Sequence, residues 1–434
     1  MLNFFVDPVF RGPFCGSMLM CLASALMGTY LLVKQRALLG EALSHAAYPG
    51  VVLGLVLGSF FLLSSEKGLV FTILIGAFVF SFLGMITIEK LHDRYKIHLD
   101  AAMCLVLSLS LGLGIVIASR IQFTHPIWYQ QAQVFIYGQA ATMTDRDIVI
   151  YGILSLCIVV FMVWRFRQIE LMAFDRLFSH TLGMSLKRMD MIIMALLILA
   201  IVVGIRSVGV IMMAGMLIAP AVSARAFTNR LSHVMLLACF FGLLSGYGGN
   251  YLSIVFGKKG IMLPTGPMIL LFSVMVSLFA LFFAPKRGAT ARFIRIFRFR
   301  RQCLYENILK TLWKKGIETP MTWKEIQHWN PISSVWLKGS LFLLRREGWV
   351  SKNRKGFLLT PDGVKRASHL VRLHRLWELY LTSCLKVDEE RVHHSAEEME
   401  HIITPELECR LTRLLKNPQK DPHHKPIPKG EMKC

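Results

Sequence analysis

The sequence predicts two architectures in one chain: a polytopic α-helical membrane bundle of about nine spans, then a winged-helix domain and a closing helical domain. Three observations predict this. First, 434 residues are enough for more than one domain, and 54% hydrophobic content with a mean hydropathy of +0.51 exceeds what a soluble protein carries. Second, composition changes abruptly near Pro285: before it, apolar stretches of membrane-spanning length follow one another, and after it none occurs. Third, a formal net charge of +22 is more than a bare bundle needs. A basic part must therefore face an acidic surface, either lipid headgroups or nucleic acid.

Taken in order, apolar runs lie near 14–33, 46–64, 69–88, 100–118, 148–164, 190–206, 207–224, 233–256 and 268–284. The first is retained as a span: Asp7 and Pro8 precede it and no small-residue cleavage pattern follows. Gly54, Gly58, Gly112, Gly114 and Pro220 are tolerated inside spans, because packing in lipid favours small residues and neighbours satisfy freed backbone groups. Residues 132–141 are too short to span and read as a re-entrant or interfacial helix. Basic residues fall in alternate loops (Lys34 and Arg36; Lys90, Arg94 and Lys96; Arg165 to Arg188; Arg225 and Arg230), with Arg206, Lys258 and Lys259 as exceptions. The positive-inside rule puts those loops, and with them the C-terminal half, in the cytoplasm. Nine cysteines without a CxxC pair, several inside apolar runs (Cys21, Cys104, Cys157, Cys239), read as small core residues and not as a disulfide framework.

Four stretches of the membrane half carry more than hydrophobicity: RALLGEALSHAAYPGVVLG (36–54), AFDRLFSHTLGMSL (173–186), VGVIMMAGMLIAPAVSAR (208–225) and LPTGPMILL (263–271). In content and order they resemble the permease subunits of the manganese, zinc and iron ABC importer family, over most of residues 10–285. The resemblance implies that Asp175, Leu177, Phe178, Leu182 and Gly183 belong to a coupling helix that docks on an ATPase. A short amphipathic helix ended by glycine suits that role, and also suits an ordinary helix at the headgroups. No GxxxxGK[ST] occurs, so the chain is not itself an enzyme and ATP hydrolysis is expected from a separate P-loop subunit. A second permease subunit, the same or homologous, and an extracytoplasmic metal-binding protein complete the implied assembly. Glu41 and His45, four apart on one helix face, can reach one divalent ion, or can be a helix-start carboxylate and an interfacial histidine. The family usually has Asp where this chain has Glu41.

Residues 286–302 form a basic juxtamembrane hinge, in which seven basic residues alternate with Phe293, Ile294, Ile296, Phe297 and Phe299. The composition fits an anchor on anionic headgroups, with nucleic-acid contact as the other reading. Residues 303–368 then read as a winged helix-turn-helix. A stripe of Leu304, Ile308, Leu309 and Leu312 ends at Gly316, MTWKEIQHW gives a second helix, and Ser333 and Ser334 cap a third that runs to Gly348. WVSKNRKGFLLT is two short strands around a turn at 353–356. Ser334, Trp336 and Lys338 on the third helix, with Lys352, Arg354 and Lys355 on the wing, are the candidate DNA-binding residues. Small helical domains of this size also serve as protein-docking modules.

Residues 369–434 bring His374 and Glu378 four apart on one helix, and His393, Glu397, Glu400 and His401 at i, i+4, i+7 and i+8 on the next. So many ionisable groups on adjoining faces call for a neutralising cation. The segments HRLWELYLTSCLKVDEERVHHSAEEMEHIITPELECRL (374–411) and DPHHKPIP (421–428) resemble the metal-binding and dimerisation domain of the diphtheria-toxin-repressor family. By position, that resemblance makes Glu397, Glu400 and His401 ligands of the primary site and His374, Glu378 and His393 ligands of an ancillary site. Glu397 replaces a cysteine common in iron-type members, which favours Fe2+ or Mn2+, with Zn2+ also open. The first-helix ligand position falls on or beside Leu304, which cannot bind; Cys303 and Glu306 are the substitutes.

The functional expectation is a permease subunit of an ATP-driven iron, manganese or zinc importer in a bacterial inner membrane, fused to a metal-dependent repressor that homodimerises through its C-terminal domain and binds operator DNA. The alternative is a membrane-anchored metal sensor without transport. A metalloenzyme is disfavoured, because no HExxH occurs. Release of the cytoplasmic part by proteolysis in 286–302 is expected over separate translation. No Met lies between Met275, in the last span, and Met321, inside the winged helix.

Overall fold

The computed structural model describes residues 7–61, 66–174, 176–183, 185–261, 263–285, 287–330, 333–388, 392, 396–397 and 399–429. The chain divides into two compact units, residues 1–292 and 293–434.

The first unit is all helical. Its helices are α1 (Pro8–Val33), α2 (Leu38–Phe61), α3 (Glu66–Asp93), α4 (Leu99–Thr124), α5 (Pro126–Tyr137), α6 (Asp145–Trp164), α7 (Phe166–Phe174), α8 (Arg176–Thr181), α9 (Leu186–Val208), α10 (Val210–Phe227), α11 (Leu231–Lys258) and α12 (Thr265–Phe283). Among the described residues, nine of these are long and apolar enough to cross a membrane, all but α5, α7 and α8. They coincide with the nine apolar runs of the sequence. Starts are written locally: Asp7 caps α1 by accepting from Val9 N at 3.0 Å with Pro8 at the first position, and the Asp147 carboxylate accepts from Thr144 N at 2.8 Å at the start of α6.

The spans α1 and α2 are 72% and 83% buried over their most apolar window, whereas α3 and α4 are each 28% buried. The first two are therefore the centre of the unit. The other two line its outside and turn Phe71, Leu83, Leu109 and Val116 outward, as helices facing hydrocarbon do. Glycine sets the α2–α3 distance: a Cβ on Gly54 would stand 2.6 Å from the Thr72 carbonyl oxygen, so only a bare backbone fits there. Gly112, by contrast, meets nothing within 4 Å and takes no part in packing. The short segment expected around 132–141 is α5 plus a 3-10 turn at Ala140–Thr142, with Ala132, Phe135 and Ala140 buried. It is seated by Gly138 (φ +74°) and Gly209 (φ +94°), whose backbones touch so closely that a Cβ on either would overlap the other's strand of chain. The cysteines are less uniform than expected: Cys21 is buried, Cys104 and Cys157 are exposed on apolar faces, and Cys409 in the second unit is disulfide-bonded.

The second unit holds most of α13 (Ala289–Lys315), then α14 (Trp323–Trp329), α15 (Ser334–Arg346), β1 (Val350–Asn353), β2 (Gly356–Leu359), α16 (Pro361–Leu385) and α17 (Pro405–Leu414). The strands pair antiparallel with Val350 opposite Leu359 and Asn353 opposite Gly356, which is the predicted wing. Tyr305, Ile308, Leu309 and Leu312 of α13 pack with Ile326, Leu337, Leu341, Leu344, Val350 and Leu359 in one core. Glu325 caps α14 by accepting from Thr322 N at 2.7 Å. Ser333 stands at the N-cap of α15, although its hydroxyl makes no capping bond. Two features differ from a reading by segments. The basic hinge is helical from Ala289 onward, continuous with the first helix of the winged domain. The helix α16, capped by Thr360, runs unbroken through residues 368 and 369.

Candidate functional site

In the membrane half, Glu41 lies in the first turn of α2 and is half-buried, and His45 follows one turn later with 6% exposure. The His45 Nδ1 has no hydrogen-bond partner among the described residues. An orphaned buried nitrogen costs about 1–3 kcal/mol unless something outside the chain meets it. The segment expected to dock contains α8 and is closed by Gly183 in the left-handed region (φ +72°), with Gly183 N donating to His180 O at 3.1 Å. Phe178 and Leu182 are 50% and 55% exposed. Asp175 lies outside the described residues, and of the Leu177 side chain nothing is described.

In the cytoplasmic half, Ser334, Trp336 and Lys338 are all exposed along the first turns of α15. Trp336 also packs at a tilt of 56° against Phe297 with ring centroids 5.3 Å apart, and Lys338 Nζ sits 6.0 Å above the Trp323 ring. Lys352, Arg354 and Lys355 are exposed around the wing turn. A protruding helix start and a cationic hairpin thus belong to one small core, an arrangement that offers a groove-reading element and phosphate contacts together.

The histidines and carboxylates expected to bind metal are brought together in part. His374, Glu378 and Glu400 are buried at 4%, 2% and 2% exposure. The His374 imidazole lies 3.1 Å from Glu378 through Nε2 and 2.5 Å from Glu400 through Nδ1. Burial alone lowers the His374 pKa, and the two carboxylates outweigh it and carry the pKa above its ordinary value. His401 is held by Glu306 at 2.7 Å and stands 3.8 Å from Glu400. Of the two substitutes for the first-helix position, Glu306 is therefore the one that enters the cluster; Leu304 packs against the apolar core and Cys303 is half-buried. Glu306 also accepts from Arg366 at 2.8 Å and Gln302 at 3.2 Å. Burial raises its pKa, but His401, Gln302 and Arg366 together hold it below the usual carboxylate value. Glu397 is exposed, on the side of Lys314. Its helix gives way to a turn at 400–402. His393 lies outside the described residues.

Sequence reasoning missed Lys310. Its ammonium lies 2.9 and 2.7 Å from the two Glu400 oxygens and 3.1 Å from His374 Nδ1, with the side chain 6% exposed. It stands four residues after Glu306, which was the available signal, but only the approach of α16 and the 396–401 segment makes it part of the cluster. Arg372 was missed as well. It is 6% exposed and bonds Glu408 at 2.9 Å, Thr412 at 3.2 Å and the Pro428 carbonyl at 2.9 Å, tying α16 to α17 and the tail.

The donor chemistry of imidazoles and carboxylates suits Mn2+, Fe2+ or Zn2+. As folded, however, the residues do not fit a metal at Glu400: a cation of the chain itself is already there. No three His, Cys, Asp or Glu among the described residues converge with metal-holding geometry.

Among the described residues, nine membrane-length helices and a winged-helix unit with a buried cluster of histidine and glutamate define a permease joined to a regulator-like domain. The chain belongs to the ABC 3 transport family, whose model matches residues 7–284, and residues 360–429 match the iron dependent repressor metal binding and dimerisation domain. It is 35% identical to a probable metal transport system membrane protein of Chlamydia trachomatis, covering 99% of this chain and 98% of that one. It is 31% identical to the manganese transport system membrane protein MntC of Bacillus subtilis, covering 84% and 82%. Among solved structures, PsaBC from Streptococcus pneumoniae superposes with a TM-score of 0.56 at 26% identity, covering 68% of this chain and 99% of that one. The chain is thus a multi-pass membrane protein of the metal ABC permease type with a repressor-like C-terminal domain.

Proposed function

We propose that the first unit is the permease subunit of an ATP-driven importer for a divalent transition metal, Fe2+ or Mn2+ foremost and Zn2+ next, in the inner membrane of a bacterium, with the second unit in the cytoplasm as a DNA-binding repressor. The observation that carries the transport reading is the family match across residues 7–284 together with an exposed apolar docking helix, Phe178 and Leu182, between two spans. The manganese named for the Bacillus relative supports a divalent cargo. In this reading Glu41 and the unpartnered His45 meet the passing ion, while ATP is hydrolysed by a separate P-loop subunit docked on α8. A second permease subunit completes the pore and an extracytoplasmic metal-binding protein delivers the ion.

The repressor reading is supported by the exposed first turns of α15 and the cationic wing, and by the match of residues 360–429. It further takes the regulator as a homodimer, because half-sites on DNA call for two recognition helices. The exposed apolar side chains of Phe293, Ile294, Ile296, Phe297 and Phe299 among the arginines of α13 support an anchoring role on anionic headgroups.

The deciding experiment is uptake of radiolabelled Mn2+ and Fe2+ by proteoliposomes holding this chain, its ATPase and the binding protein. Uptake that requires ATP and falls on Glu41→Gln with His45→Ala is the expected result. ATP hydrolysis by the purified chain alone, or uptake indifferent to both substitutions, overturns the transport reading.

A further inference from the structure

We propose that Lys310 is a built-in cation that takes the place of a metal ion in the buried cluster, so that α13, α16 and residues 399–401 close on one another without metal at Glu400. The inference rests on reading the second unit as a regulator of the metal-binding type, and it concerns only what occupies that regulator's central position.

The argument starts from charge. Glu400 is 2% exposed, and a carboxylate taken that far from water needs a counter-charge. A metal ion would supply one and would draw several donors around itself at about 2.0–2.2 Å. Here the counter-charge is an ammonium, which reaches both Glu400 oxygens at 2.9 and 2.7 Å, ordinary lengths for charge-assisted hydrogen bonds. The same ammonium lies 3.1 Å from His374 Nδ1, so one cation stands among donors from two different segments. Its stem belongs to α13 between the core residues Leu309 and Leu312, which fixes its depth.

The remaining groups facing this point are accounted for as well. From α13, Glu306 is engaged by His401, Arg366 and Gln302, and Lys314 is the next cation along the helix. From α16, Glu378 is engaged by His374 at 3.1 Å. From the segment after it, His401 is turned toward Glu306, and Glu397 is exposed. Each buried carboxylate near Glu400 therefore has a partner supplied by the chain. A divalent ion entering here would either expel Lys310 from a site where its side chain is 6% exposed or stand as a second cation beside the ammonium.

Two measurements on the detergent-purified full chain test this. In the first, Mn(II) alone is titrated in and free ion is followed by its electron paramagnetic resonance signal. Lys310→Met removes the ammonium at similar length, and the chain then binds one more Mn(II) ion than the native chain. Adding Glu400→Gln removes that extra ion, and Lys310→Arg, which keeps the charge, binds as the native chain does. An unchanged count in Lys310→Met overturns the proposal, because it means that the carboxylate and imidazoles do not form a metal site once freed. In the second measurement, which involves no substitution, lysines of the native chain are acetylated with and without saturating Mn(II) and labelling at Lys310 is read by mass spectrometry. Lys310 stays protected in both states. A rise of labelling with Mn(II) overturns the proposal, since it shows the ion displacing the ammonium. Neither readout depends on DNA binding or on transport, so failure of the regulator reading is registered separately, by the absence of duplex binding.

Discussion

Replacing Lys352, Arg354 and Lys355 together by alanine tests whether the wing holds phosphates. All three side chains are exposed around the turn that joins β1 and β2, and Lys352 lies only 5.8 Å above the Phe357 ring, a contact that leaves its charge available. Each phosphate contact contributes about 0.9 to the slope of log affinity against log salt, so losing three lowers the slope by about 2.7. At about 0.1 M salt this corresponds to a loss of affinity on the order of 10²–10³-fold for any duplex, independent of sequence. The assay is fluorescence anisotropy of a labelled random duplex with the detergent-solubilised full chain over a salt series. The fold is expected to survive, because the wing turn contributes none of the core side chains. A triple variant whose salt slope equals that of the native chain would refute the reasoning and leave the second unit as a protein-docking module.

Arg372→Met is expected to destabilise the second unit by about 2–4 kcal/mol, since it leaves the buried carboxylate of Glu408 with only the half-buried His369 at 3.8 Å as a charge partner. Chemical denaturation followed by tryptophan fluorescence measures it, and a loss under about 1 kcal/mol would show that the pair is not a structural tie. Phe178→Asp with Leu182→Asp is expected to weaken ATPase association by roughly 30-fold or more, as loss of an apolar anchor worth about 2 kcal/mol does. Coupled ATPase assays in proteoliposomes check this; unchanged stimulation would reassign α8 to a headgroup helix. An antibody to the C-terminus is expected to detect a soluble fragment in cell fractions, with a new N-terminus between Ala289 and Gln302, whereas only full-length chain in the membrane fraction would establish a tethered regulator.

The spans were legible because burial in lipid demands long apolar runs, and all nine are helices of that length. The winged helix was legible for a different reason. Gly316 and Gly348 take positive φ at the ends of α13 and α15, and basic residues mark the wing turn, so local chemistry already states where elements stop. The sensory cluster was legible only in part. His374 and Glu378 share a face because α16 is one continuous helix, whereas along the next segment Glu397 is exposed and Glu400 buried, a difference that the i, i+4, i+7 spacing does not state. For Lys310 the spacing showed only that it lies one turn after Glu306. Along α13 it is a lysine next to a leucine, and its partner Glu400 is 90 positions away. What makes it central is a tertiary approach that the spacing of either segment does not encode.

If the chain is cut in 286–302 as expected, the same helix leaves the buried cluster intact. No side chain of α13 before Tyr305 is fully buried, and Phe293, Ile294, Ile296, Phe297 and Phe299 are at least 40% exposed. Those first turns place their apolar side chains outside the core and add ring contacts of Phe297 with Phe293 and Trp336 to their backbone hydrogen bonds, so opening them disturbs far less packing than opening the helix beyond Tyr305. From Tyr305 onward the helix carries Ile308, Leu309 and Leu312 in the core and Glu306 and Lys310 in the cluster, and opening it there means opening the whole unit. A protease that cuts in proportion to the open population therefore cuts before residue 302 and not after it. The fragment it leaves begins with a frayed basic turn and retains Glu306 and Lys310. Its sensory cluster is then the one the full chain has, with the counter-charge to Glu400 still attached.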